Sequence, residues 1–213
     1  MVSNLINQLY NEMENRILNG DYKQDEILTE QKIADEFHVS RTPVREVFQL
    51  LLANGLIDTN DKKEVRVQTF SQKDMLDIYD LRIQMEGRSA KLCAENCTDE
   101  VIDKLQETIL LQELYLSKGN VKHVWELDEQ FHSIIHGACM NRLLKKMLDD
   151  FLHYTKFVRR HSYDSAGRCE KSVLEHKEIF TAIKDRDAAK AQVCMTQHVQ
   201  NARENLIVNG FFE

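Results

Sequence analysis

The chain has 213 residues, 42% hydrophobic and 30% charged, with a net charge of −7. That length supports one generous core or two modest ones, and the acidic balance excludes an indiscriminate nucleic-acid binder held by bulk positive charge, though not a specific one. One proline and seven glycines leave few breaks, so long helices should dominate. No apolar run reaches membrane-spanning length and no signal-peptide block opens the chain, so the expected location is cytoplasmic, with no membrane partner. Five cysteines, Cys93, Cys97, Cys139, Cys169 and Cys194, are odd in number and lack a C-x-x-C pair, which reads as reduced thiols.

Residues 3–18 predict an opening helix, with Leu5, Ile6, Leu9, Met13, Ile17 and Leu18 at helical spacing and Gly20 as its stop. Leu28 to Ile57 then predicts two short helices and a tight turn. Thr29 caps the first, whose apolar side is Ile33, Ala34 and Phe37. His38 to Ser40 interrupts the periodicity, and Ser40 or Thr42 caps a second helix with Pro43 in its first turn, where a missing N–H costs nothing. Val44, Val47, Phe48, Leu51 and Leu52 form its buried stripe. Arg41, Thr42, Arg45 and Gln49 are left on the other side, at the helix start, where helix-turn-helix proteins present side chains to the major groove. Two arginines one turn apart suit guanine edges or phosphate, because a guanidinium is a rigid fork of donors.

The run VSRTPVREVFQLL, with LTEQKIADEF before it and ANGLI after it, resembles the winged helix-turn-helix of the GntR family of bacterial transcription regulators. The resemblance implies that Arg41, Thr42 and Arg45 contact operator bases and phosphates, with Gln31 adding a contact from the preceding helix and Lys62, Lys63 and Arg66 contacts from the wing. Two departures stand out. Asp25-Glu26 replaces the usual Pro-Gly, and the wing from Asp61 to Val67 lacks its usual glycine. Asn60-Asp61 is expected to make the wing turn, since Asn and Asp tolerate left-handed backbone angles. Residues 1–70 hold 8 Lys and Arg against 12 Asp and Glu, so affinity is expected to lean on specific contacts and on a dimer.

A domain boundary is expected near residue 70, giving a DNA-binding domain over 1–70 and a helical domain over 71–213. Ser71 with Asp74 makes a capping-box start. Helices follow over roughly 72–95, 98–117, 121–138, 141–160, 166–185 and 186–208, punctuated at Thr98, Asn120, Asn141 and 185–187. Six helices with short connections predict an antiparallel bundle able to hold a small ligand.

Within it, Asp128 and His132 are four apart on one helix and border the apolar arc of Val124, Leu127, Phe131, Ile134, Ile135 and Ala138 at about 100° per residue. His136 projects roughly opposite that arc and is a poor candidate. His176 falls in the stripe of Val173, Ile179, Phe180 and Ile183, and His198 lies beside Ala191, Met195, Val199 and Ala202. Three helices thus bring imidazoles or a carboxylate toward one interior, which is costly unless they are paired or bound. The set is equally open to satisfied core histidines and to a divalent metal such as Zn²⁺, Ni²⁺ or Mn²⁺.

YDLRIQMEG near residue 79, DEQFH from Asp128, EH at Glu175 and MTQH ending at His198 resemble the FCD ligand-binding domain of the FadR-type branch of the same family. The resemblance implies that Asp128, His132, His176 and His198 hold the metal, with remaining positions filled by water or a small organic acid effector. Arg82 is a candidate second contact to that anion, or one half of a surface salt bridge. Arg159 and Arg160 are weaker candidates, or the solvated end of a helix. The function implied is a homodimeric regulator, a repressor by preference, that binds double-stranded, pseudo-palindromic operator DNA. The rival is a metal-dependent hydrolase or lyase tethered by its N-terminal domain, for which the bundle offers no evident general base: Glu129 and Glu175 are each one step off a ligand position.

Overall fold

The structure, a computed structural model, describes residues 2–68, 71–163 and 167–209, with the side chains at 2, 3, 18, 19, 72, 153 and 156–162 outside the description. The chain divides into two compact units, Met1–Phe70 and Ser71–Glu213.

The first unit runs α1 (Val2–Asn19), β1 (Ile27–Leu28), α2 (Glu30–Glu36), α3 (Arg41–Ala53), β2 (Ile57–Thr59) and β3 (Val65–Val67). Gly20 ends α1 in the left-handed region at φ 78°, where a residue without Cβ carries no steric penalty. Leu9, Met13 and Ile17 of α1 are buried, and α1 packs on α3; Leu5, expected in the same stripe, is exposed. Thr29 Oγ1 accepts from Lys32 N at 3.1 Å, capping α2. Ser40 is the N-cap of α3 by backbone position but makes no side-chain cap bond. Pro43, Val44, Val47, Phe48 and Leu51 are the buried residues of α3, with Leu52 only half-buried.

The three short strands form one antiparallel sheet in the order β1-β3-β2, pairing Ile27 with Arg66 and Ile57 with Val67. β1 goes beyond the two-stranded wing expected. The wing turn is also built differently: Lys63, at φ 62°, takes the left-handed position, and neither Asn60 nor Asp61 does. Asn60 instead caps the turn, its Oδ1 accepting from Lys62 N and Glu64 N, both at 3.0 Å. Asp25, at φ 61°, likewise takes a left-handed turn without glycine.

The second unit is α4 (Gln72–Asn96), α5 (Asp99–Ser117), α6 (Val121–Ala138), α7 (Arg142–Tyr163), α8 (Arg168–Lys184) and α9 (Ala188–Val208). Ser71 and Asp74 form a reciprocal capping box on α4, and Thr98, Asn120 and Asp187 accept cap bonds at α5, α6 and α9. The first and last helices of the unit, α4 and α9, pack along each other, and α5 packs on both α6 and α8. Gly87 permits the α4–α9 approach, because a Cβ there would drive into Thr196 Oγ1 and lie 3.3 Å from the Gln192 carbonyl. Among the described residues, no helix is long and apolar enough to cross a membrane.

Candidate functional site

Four side chains from three helices meet inside the second unit. Asp128 and His132 come from α6, His176 from α8 and His198 from α9, and all four are buried. One ligand-type atom from each lies within 4.8 Å of the others. His132 Nε2 is 3.2 Å from His198 Nε2, and Asp128 Oδ1 is 3.3 Å from His176 Nε2 and 3.7 Å from His132 Nε2. Phe131 stacks on the His176 ring at 4.3 Å and closes the cluster on that side.

The other nitrogen of each ring is committed outward. His132 Nδ1 lies 2.5 Å from Glu86 Oε2, His176 Nδ1 3.0 Å from Gln112 Oε1, and His198 Nδ1 2.7 Å from Glu175 Oε2. An ionised carboxylate only accepts hydrogen bonds, so Nδ1 carries the proton in His198, whereas His132 Nδ1, although close to Glu86 Oε2, has no hydrogen bond of good geometry there. Both carboxyls are ionised. Burial pushes the Glu175 carboxyl up, but the bonds from His198 and Arg168 outweigh it and hold it at about 2. At Glu86 burial is likewise outweighed, by Arg82 and His132, leaving the carboxyl well below its usual range. Burial in turn pushes His198 well below its ordinary value and lowers His132. His132 Nε2 and His198 Nε2 lie 3.2 Å apart, within hydrogen-bond distance of each other. Three imidazoles oriented by outer acceptors, converging with one carboxylate, are a donor set that fits a divalent metal.

Arg82 does not form a surface salt bridge. It is buried, donates from Nε to Glu86 Oε1 at 2.7 Å and stacks over Tyr79 at 4.7 Å. Of the two expectations for Arg82, an anion contact or a surface salt bridge, the second fails because Glu86, one turn on, neutralises it in the interior. Arg82 Nη1 is buried without a hydrogen-bond partner, and the residue lines a cavity of about 20 Å³ together with Asp128, Tyr163, Arg168, Ser172 and His198. Tyr163 OH donates to Asp128 Oδ1 at 2.6 Å, and Arg168 pairs with Glu175 at 2.9 Å. The sequence reading missed Tyr163, Arg168, Gln112 and Ser172; only the Arg82–Glu86 spacing offered a signal for the surrounding shell. The side chains of Arg159 and Arg160 lie outside the described residues.

His136 is a correction. It is buried, 3.8 Å from both Glu86 Oε2 and Asp149 Oδ1. Burial pushes its ring down, but the two carboxylates outweigh that and raise it. Glu86, His132 and His136 also lie close enough to hold an ion. Arg82 and Lys145 pair with Glu86 and Asp149 respectively, while neither His136 nitrogen has a hydrogen-bond partner. The cysteines are free thiols, four of them buried; burial pushes Cys93 to about 12 and Cys169 to about 11.

In the first unit, Arg41, Thr42 and Arg45 are exposed on the first turns of α3, and Gln31 is exposed at the start of α2, donating to Asp35 at 2.8 Å. Lys63 is exposed at the wing turn. Arg66 is held at the base of the wing, donating to Asp58 and Asp25, each at 2.7 Å. Arg41 and Arg45 both donate to one carboxylate, that of Glu30.

The FCD domain family matches residues 77–201, and the gntR family of bacterial regulatory proteins matches residues 5–67. The chain is similar to the HTH-type transcriptional regulator YdhC of Bacillus subtilis, 28% identical over 93% of this chain and 89% of that one. It is also similar to two Escherichia coli transcriptional repressors: GlaR, 29% identical over 89% of this chain and 90% of the relative, and RspR, 27% identical over 84% and 78%. Among solved structures, E. coli McbR/YncC superposes with a TM-score of 0.77 at 18% identity, over 98% of this chain and 99% of that one. These relatives are regulators, which leaves the tethered hydrolase or lyase without support. A winged helix-turn-helix joined to an FCD bundle, matched along nearly the whole chain, makes this protein a transcriptional regulator of the GntR family.

Proposed function

We propose that the protein is a homodimeric repressor that reads a pseudo-palindromic operator through α3 and releases it in response to a small carboxylate bound beside a divalent metal in the helical unit. The observation that carries the effector half is the convergence of three outward-anchored imidazoles and Asp128 next to a cavity lined by two buried arginines. Asp128, His132, His176 and His198 would hold the ion through Oδ1 and the three Nε2 atoms. When bound, a divalent ion supplies a Lewis-acid position for a carboxylate oxygen. Arg82, through its unpartnered Nη1, would take the other side of the anion in a charge-assisted bond. The repressor assignment follows the names of GlaR and RspR.

The cavity of about 20 Å³ holds roughly one water-sized sphere. An effector of even a few heavy atoms therefore enters by moving a lining side chain, and Tyr163, bonded to Asp128 and Ser172 at 2.6 Å each, is the bar it meets. Such a displacement couples occupancy to the packing of α6, α7 and α8, from which these three residues come. It changes operator affinity by as much as the effector discriminates between the two states. On the DNA side, Gln31, Arg41, Thr42, Arg45 and Lys63 supply the contacts, with Arg66 shaping the wing.

Purified protein is expected to retain about one divalent ion per chain, the number one such donor set can hold, and His176→Ala to lose it while remaining folded. Elemental analysis and circular dichroism of the two proteins test this. Equal metal content in a folded His176→Ala would overturn the assigned centre.

A further inference from the structure

Glu30 sits in the first turn of α2, just after the Thr29 cap, and its carboxylate gathers both arginines of the reading helix. Arg45 donates Nε to Oε1 at 2.8 Å and Nη2 to Oε2 at 2.9 Å, a parallel two-bond fork. Arg41 donates Nε and Nη2 to the same Oε2, at 3.2 and 2.9 Å. The arginine side chains are 58% and 63% exposed, whereas Glu30 is only 21% exposed and fixed by its helix. An exposed arginine ordinarily samples many rotamers, and ordering it on DNA costs free energy.

The atoms used matter. A guanidinium has five N–H donors. Glu30 takes the Nε/Nη2 edge of each, so the end-on edge formed by Nη1 and the second Nη2 proton remains. That edge is the two-donor pattern that matches guanine O6 and N7. The same carboxylate removes one of the two positive charges, which weakens the sequence-blind attraction to phosphate. Its Arg45 bonds hold the carboxyl at about 2, so it stays ionised at any working pH.

We propose that Glu30 is the specificity-determining positioning residue of the DNA-reading face, splinting Arg41 and Arg45 so that they read bases and do not merely grip phosphate. The inference rests on the assignment of α3 as the reading helix. It makes Glu30 a group that touches no base, opposes binding to arbitrary DNA, and favours binding to the correct site.

The test uses the full-length protein and two duplexes of equal length: one selected from a random pool by the wild-type chain, the other of scrambled sequence. Affinities for both are measured at one fixed salt concentration. Glu30→Gln is expected to bind the selected duplex about tenfold more weakly, the scale of two newly mobile side chains, while binding the scrambled one as well as or better than wild type. Glu30→Asp, which keeps the charge but shortens the reach, is expected to fall between. A Glu30→Gln protein whose two affinities move by the same factor, in either direction, would overturn the proposal, since a bulk-charge or folding effect does not change the ratio. Arg45→Ala separates the two levels of failure. If it leaves the selected duplex bound normally, or if the wild type selects no sequence, the assignment of α3 falls and the proposal with it; if Arg45→Ala weakens binding while Glu30→Gln preserves the ratio, only the role of Glu30 falls.

Discussion

Each imidazole in the buried cluster has two nitrogens, and the fold gives them different tasks: Nδ1 meets Glu86, Gln112 or Glu175, and Nε2 turns inward. Outer acceptors of this kind fix the tautomer and raise the basicity of the inward nitrogen. Glu175→Gln keeps an acceptor at His198 Nδ1 but removes the charge, so its metal affinity should fall by about tenfold, read by competition with a chelator. Unchanged affinity would reduce Glu175 to a structural partner of Arg168 and Asn201. The apolar stripes placed the four converging side chains toward the interior, and the resemblance to the FCD domain singled them out as a set. His136 was missed, because the stripe was drawn from hydrophobic residues only. α6 packs against α4, α5 and α7, so its buried arc is wider than that stripe and takes in polar side chains that meet Glu86 and Asp149. Tyr163, Gln112 and Ser172 were invisible for a related reason: their partners are between 9 and 64 residues away in sequence.

Helices carry their signals locally, and the six of the second unit begin and end close to where caps and periodicity put them, Thr98, Asn120 and Asp187 each accepting a cap bond. Strand β1 carries no such signal. Two residues, Ile27 and Leu28, are too few to show an alternation, and they are a strand only because β3 offers a partner 37 to 39 residues on. The left-handed residue of the wing escaped prediction because Lys63 occupies it with no compositional hint. Packing between elements yields a sharper expectation at Gly87. Alanine there must push α4 off α9 at Thr196 and Gln192, an overpacking cost of about 1–3 kcal/mol. Urea unfolding of Gly87→Ala checks this, and an unchanged midpoint would mean that Thr196 rotates aside without cost.

For the whole molecule, an acidic chain of net charge −7 must bind acidic DNA. Its first unit is itself acidic, and the two arginines of α3 share a carboxylate. Little sequence-blind attraction remains to hold such a protein on arbitrary DNA, so residence at a site depends on a few directed contacts. The most direct measurement is therefore selective capture: fragmented genomic DNA from the source is mixed with wild-type protein and with Arg45→Ala at moderate salt, and the retained fragments are sequenced. The account predicts that the wild type enriches a pseudo-palindromic sequence and that Arg45→Ala, with its metal content intact, does not. Equal enrichment by both proteins, or none by either with and without added divalent metal, would contradict it.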